Sequence, residues 1–344
     1  MMKKVAYISL VFYVFLSGAC VKNTTFAPTT LGSDLIGYNV VKTKADGTFP
    51  TDWDFISSAY KVTSEQNWDS DKNSATTYFS RETVSYDATY HFWKTRSDYY
   101  WPTDGSRLTF FSYAPSSLSN ASISTDGVSI SSWNVENNPS QVILVADIAK
   151  DRYRNETYAG YNGVPTAFRH KLAKLNFKIG IAQEAEEGTK VFLKKISIGD
   201  VFMQGDYKRG GYANNSWENL SVLKNTSAPI IVFSNNSGLE LSKDSTALVK
   251  ENLLVIPQSL IKRSATEHPY MELKYDIYHQ GSTSAEATIS TIHFDDILRQ
   301  GSWQIGTSIT YTIRVGVGQF PIEFDGSVED WTANIDGLLE ISTN

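Results

Sequence analysis

Cysteine is almost absent: Cys20 is the only one in 344 residues. That excludes an internal disulfide and any multi-cysteine zinc or iron–sulfur site. Histidine is scarce as well, and none of His91, His170, His268, His279 and His293 has a second histidine two or four positions on. The serine-hydrolase turn Gly-x-Ser-x-Gly is missing, and so is a glycine-rich phosphate loop. No basic excess exists; Lys+Arg 31 against Asp+Glu 37 leaves a formal net charge of −6. A scattered acidic balance lacks the basic face that nucleic acid requires. No apolar run approaches the roughly 20 residues needed to cross a bilayer, and no stretch shows a long 3.6-residue apolar period. The expectation is a chain that is not an enzyme, holds no metal and uses no cofactor.

Aromatics are abundant, with 19 Tyr, 17 Phe and 8 Trp. Together with many Ser, Thr and Val they favour strands. Period-two alternation dominates. Leu175, Phe177, Ile179 and Ile181 alternate with polar or small residues, as do Met271, Leu273, Tyr275 and Ile277, and then Ile309, Tyr311, Ile313, Val315 and Val317. This is the pattern of strands with one face on a core and the other in water. Turn pairs separate them: Asp126-Gly127, Asn162-Gly163, Glu187-Gly188 and Gly210-Gly211. Thr51–Tyr60 is the one candidate for a helical turn. Without crossover helices a parallel α/β architecture is disfavoured, and the expected class is all-β, built as tandem β-sandwiches. Length points to about two domains. The expected division is 20–51 as a tether with a short strand, 52–212 as a first sandwich and 213–344 as a second.

Residues 1–19 read as an address. Met1–Lys4 is basic, Val5–Leu16 is apolar and too short to span a membrane, and Leu16-Ser17-Gly18-Ala19-Cys20 follows. The segment resembles a bacterial lipoprotein signal with Cys20 as the lipidated residue, the usual Leu three places before the cysteine being Ser17. The plainer reading is an ordinary signal peptide that contains a cysteine. Multiple acylation of Cys20 would give durable anchoring.

Three groupings have competing readings. Asp69-Ser70-Asp71-Lys72-Asn73 begins like a calcium loop, but the sixth position is Ser74 and the twelfth is Ser80. A solvated loop is the simpler reading. Glu184, Glu186 and Glu187 suit a charged hairpin tip better than a glycosidase pair. Tyr99, Tyr100 and Trp101 are the densest aromatic cluster, either a stacking platform for a glycan or part of the packing.

Several strings resemble the fimbrillin-like lipoproteins of Gram-negative anaerobes. Tyr100-Trp101-Pro102 precedes Leu108-Thr109-Phe110-Phe111-Ser112-Tyr113-Ala114-Pro115, and Val142-Ile143-Leu144-Val145-Ala146 follows. Next come Phe168, His170, Leu172, Ala173, Leu175 and Phe177, then Leu253-Leu254-Val255-Ile256-Pro257-Gln258. The chain closes with Trp303, Gly306, Tyr311, Ile322, Phe324, Val328 and Trp331. The resemblance implies two transthyretin-like sandwiches and no enzymatic activity. It also implies a fimbrial subunit or accessory anchor lipoprotein at the cell outer membrane or in the fimbrium, with other subunits as partners. In the family a protease trims an N-terminal strand, and a strand from another subunit fills the groove.

Here Leu35, Ile36, Val40 and Val41 are the candidates for the trimmed strand. Family members are cut after Arg, but no Arg precedes Arg81, and Lys44-Ala45 stands where the junction would fall. The tail 332–344 carries Ile335, Leu338, Leu339 and Ile341, as a donor strand or as the last strand of the second sandwich. The competing function is a surface lipoprotein that binds glycan or host protein through exposed aromatics without polymerising.

Overall fold

The computed structural model describes residues 34–40, 49–89, 91–154, 157–158, 161–182, 187–210, 214–221, 229–297, 301–317 and 322–331. The chain is all-β: strands dominate, and the described helices are the single turns Trp68–Asp71 and Phe294–Ile297 and the 3-10 turn Lys72–Ser74.

The first half is organised around a nine-stranded sheet. In spatial order it runs Val164–Thr166, Gly37–Val40, Phe92–Thr95, Thr76–Asp87, Phe55–Val62, Arg107–Ala114, Leu144–Ala146 and Phe168–His170, and Ala149–Arg152 also pairs with Arg107–Ala114. Phe55–Val62 lies near its centre and is buried at seven of eight positions. The expected helical turn over Thr51–Tyr60 is therefore corrected to a strand. A strand covered on both faces loses the period-two signal. Ser57 and Ser58 are carried into the core but satisfied there. The Ser57 hydroxyl donates to the Phe111 carbonyl (3.3 Å) and accepts from the Ser112 hydroxyl (3.0 Å), while Ser58 Oγ accepts the Arg81 N–H (2.9 Å).

The second half holds two four-stranded sheets. One is Ala247–Val255, Ala173–Ile181, Thr307–Val315 and Glu323–Asp330; the other is Ile230–Glu240, Lys190–Gly199, Tyr270–Tyr278 and Glu286–His293. The alternation read from the sequence is realised. Leu175, Phe177, Ile179, Met271, Leu273, Ile309, Tyr311 and Ile313 are all buried, each separated by a polar or small residue facing outward. Ala173–Ile181 pairs in parallel with Thr307–Val315 from Lys174↔Ser308 to Ile181↔Val315.

A further four-stranded sheet joins the two halves: Ala121–Ser124, Gly127–Asn134, Gln204–Gly210 and Asn214–Ser221. Its first hairpin turns at Asp126-Gly127. Gly127 has φ +123°, and an added Cβ would lie 2.2 Å from the Arg209 carbonyl oxygen, so only glycine fits. The sheets thus divide the chain elsewhere than at 212–213. Hydrogen bonding assigns Ala173–Gly199 to the second half and returns the Gln204–Ser221 hairpin to the first. Local patterning cannot show this, because both pairings are long-range.

Lys171 sits at this junction, 2% exposed, with its carbonyl accepting the Trp217 indole N–H (2.8 Å). Burial, reinforced by the Arg209 guanidinium, pulls its pKa down to about 7. The unfolded chain retains a proton up to about pH 10.4, so the native state binds fewer protons between those values and stability rises with pH there. Unfolding free energy is expected to rise by about 1.4 kcal/mol per unit between pH 7.5 and 9.5. Lys171→Met should remove that rise and stabilise the protein at neutral pH; denaturant unfolding at several pH values checks both.

Candidate assembly site

Of the segments expected to act in assembly, one falls within the described residues. Asp34–Val40 is not an added edge but an insert. Gly37–Val40 pairs antiparallel with Phe92–Thr95 (Gly37↔Lys94, Tyr38↔Trp93) and parallel with Val164–Thr166 (Tyr38↔Val164, Asn39↔Pro165, Val40↔Thr166). Upstream, the Ile36 N–H donates to the Tyr99 carbonyl (2.8 Å), the Trp101 N–H donates to the Asp34 carbonyl (2.7 Å), and Leu35 bridges Tyr100. Asp34 is also ion-paired with Arg154.

Alternation decides which side chains seat the insert. Ile36 is 1% and Tyr38 3% exposed. The Tyr38 ring meets Phe55 (5.4 Å) and Phe110 (5.9 Å) edge-on. Between them Gly37 lies against the Phe92 ring, 3.0 Å from where a Cβ would sit. Gly163 on the other flank has φ +101°, with an added Cβ 2.8 Å from the Gly37 carbonyl. The sequence reading named Leu35, Ile36, Val40 and Val41 but passed over Tyr38. The Ile36, Tyr38, Val40 alternation was the available signal.

Phe49, on the far side of residues 41–48, is fixed independently. It stacks on Phe168 (4.7 Å) and meets Trp93 (5.3 Å), Phe55 (6.0 Å) and Trp53 (6.1 Å). The insert and this anchor are thus separate attachments, linked by residues 41–48. Cys20, Lys44 and Ala45, and the tail residues Ile335, Leu338, Leu339 and Ile341, lie outside the described residues.

The aromatic cluster does not form one stacking platform. Trp101 is 9% exposed and packs on Phe110 (5.8 Å). Tyr99 lies against Phe79 (4.6 Å) and donates its hydroxyl to Glu82 Oε1 (2.9 Å). Tyr100 alone projects, at 55% exposure, while its carbonyl accepts the Tyr78 hydroxyl. Successive residues of extended chain face opposite sides, so a run of three aromatics is split, and this run chiefly forms the wall of the insert's seat.

The calcium-like string is also structural. Asn67 caps the turn by accepting the Ser70 N–H (3.1 Å), Asp71 accepts the Asn67 N–H (3.0 Å), and Asp69 pairs with Lys150. At the far end of the second half, His268 hydrogen-bonds Asp295 (2.7 Å) and stacks on His293 (3.5 Å). Among the described residues no hydroxyl or thiol hydrogen-bonds to either of these two imidazoles, and no group of three His, Cys, Asp or Glu is placed to hold a metal.

The fimbrillin-like family profile matches residues 36–331, from the buried Ile36 of the insert to the buried Trp331. The chain is a member of the fimbrillin-like family. The fimbrium subunit Fim1C of Phocaeicola vulgatus is 25% identical to this fimbrillin-like chain across 91% of each. A crystal structure of a fimbrial protein from Bacteroides vulgatus superposes with a TM-score of 0.63 at 19% identity, covering 87% of this chain and all of that one. The fold is therefore the all-β fold of a fimbrial protein. Family membership places the fimbrillin-like chain among cell-surface or fimbrial proteins, a structural rather than an enzymatic class.

Tyr38→Ala in this fimbrillin-like protein is expected to cost about 3 kcal/mol or more of stability through the cavity left between Phe55 and Phe110. It should also speed protease cleavage in residues 41–48. Denaturant unfolding and timed proteolysis with N-terminal sequencing measure the two effects.

Proposed function

We propose that this fimbrillin-like chain is a fimbrial subunit or anchor, tethered to the outer membrane by lipid on Cys20 and joined to its neighbours by strand exchange. The observation that carries this reading is the insert Asp34–Val40. It completes a sheet from within, yet precedes the linker containing Lys42 and Lys44. Cleavage at Lys44-Ala45 would detach it, while Phe49 still holds the new N-terminus.

The vacated seat would expose the walls Phe92–Thr95 and Val164–Thr166 and the pocket between Phe55 and Phe110. Unpaired sheet backbone beside an apolar slot is a template for an added strand. Refilling the Ile36 and Tyr38 positions contributes roughly 3–6 kcal/mol, and each restored backbone bond adds about 0.5–1.5 kcal/mol net.

The tail 332–344 is the donor in this reading. Fully extended at about 3.3 Å per residue it spans roughly 43 Å, against roughly 23 Å for the seven-residue seat, which leaves slack to cross between subunits. Leu339 and Ile341 have the spacing of Ile36 and Tyr38, and in an extended strand Ile335 would share their face and Leu338 take the other. A protease accepting Lys has to perform the cut. Without such a cut the chain stays a lipidated anchor or accessory subunit.

Incubating the protein with a lysine-specific protease, then electrophoresis in SDS without boiling, tests this. Trimming after Lys44 is expected to give ladders, and Ile341→Asp is expected to abolish them. Monomers after complete trimming, with the tail intact, would contradict the reading.

A further inference from the structure

The last buried residue before the tail is held by an unusual contact. The Trp331 ring stacks on His170 with centroids 3.6 Å apart and planes 8° from parallel. The Lys174 ammonium lies 5.3 Å from the centre of the same indole. The Trp331 N–H donates to the Gly306 carbonyl (2.7 Å), and the Gly306 N–H donates to the Leu172 carbonyl (3.1 Å). Gly306 has φ +72°, and an added Cβ would lie 3.2 Å from the His170 carbonyl. Three separate segments thus converge on the point where residues 332–344 begin.

This contact is polar where packing alone would favour an apolar pair. His170 is 2% and Trp331 6% exposed, yet among the described residues neither ring nitrogen of His170 nor Nε1 of Trp331 has a hydrogen-bond partner. Buried polar atoms of this kind are uncommon and costly. Protonation would place a desolvated charge between Lys171 and Lys174. A stacked indole favours an imidazolium by about 0.5–2 kcal/mol, but burial and the two lysines outweigh it and hold the His170 pKa down to about 3. The surrounding charges are Glu251 and Glu329 beside Lys174, and Arg209, Asp147 and Arg169 beside Lys171.

We propose that the His170–Trp331 stack is an acid-opened clasp on the root of the C-terminal tail. Closed, it ties Trp331 to the end of Phe168–His170. Open, it hydrates His170, which regains an ordinary affinity for protons. Acid therefore favours the open form, because opening takes up a proton once the pH falls below about 6.5. The clasp governs the release of Trp331 itself, so it does not depend on strand exchange.

Hydrogen exchange at the Trp331 amide of the full chain, corrected for intrinsic rates, reports the opening constant. It is expected to increase about a hundredfold between pH 7.5 and 4.5, a range above the ordinary carboxylate pKa values. His170→Phe keeps a ring on the indole without a titrating group and is expected to change less than about threefold over that range. A flat wild-type profile, or a variant with the wild-type slope, overturns the proposal. Should the variant fail to fold, NMR titration of the wild-type His170 ring decides. A ring that stays neutral in the folded protein at pH 4.5 supports the clasp, and a folded-state midpoint near 6.5 overturns it.

Discussion

The pairing of Asp34–Val40 between two strands that come much later in the chain is the constraint on which the first half depends. Phe92–Thr95 and Val164–Thr166 do not pair with each other. They are joined through the insert, whose Ile36 and Tyr38 fill the slot in front of Phe55 and Phe110. The sheet is thus completed from within by a segment that comes early in the chain. The surrounding residues reinforce this design: Tyr78 and Glu82 fix the Tyr99–Trp101 wall through side-chain hydrogen bonds, and Phe49 fixes the chain beyond the linker.

The two halves are not beads on a string. The Gln204–Ser221 hairpin leaves the second half to pair with Gly127–Asn134, and the Arg209 guanidinium donates to the Ala146 carbonyl and pairs with Asp147. Lys171 and His170 are buried at the same junction. Two ionisable side chains under apolar cover are a stability cost, and both lie within a few residues of where the halves meet and of where Trp331 docks. Burial lowers the pKa of both groups, so the stability of the junction responds to pH.

What was legible in the sequence follows from how each strand is buried. Ala173–Ile181, Tyr270–Tyr278 and Thr307–Val315 each have one wet face, so their apolar residues alternate and were read correctly. Phe55–Val62 has two dry faces and was misread as a helical turn. Its serines, placed by hydrogen bonds to Phe111 and Arg81, disguised a core strand as a polar one. Sheet membership on either side of 212–213 needed the fold, because it is set by partners about 70 residues away or more, such as Gly127–Asn134 for Gln204–Gly210. At the candidate site, the sequence marked Leu35, Ile36 and Val40 as apolar, but the role of Tyr38 between Phe55 and Phe110 needed the fold. The division of Tyr99, Tyr100 and Trp101 between wall and surface, and the anchoring of Phe49, needed the fold.

If Asp34–Val40 is a replaceable strand, amide exchange at its two walls shows it most directly. Protection at Phe92–Thr95 and Val164–Thr166 is expected to be high in the intact chain, to fall in the freshly trimmed monomer and to return when trimmed subunits associate. Walls that stay protected in the trimmed monomer would contradict it, because the insert would then be an ornament on a sheet that closes without it.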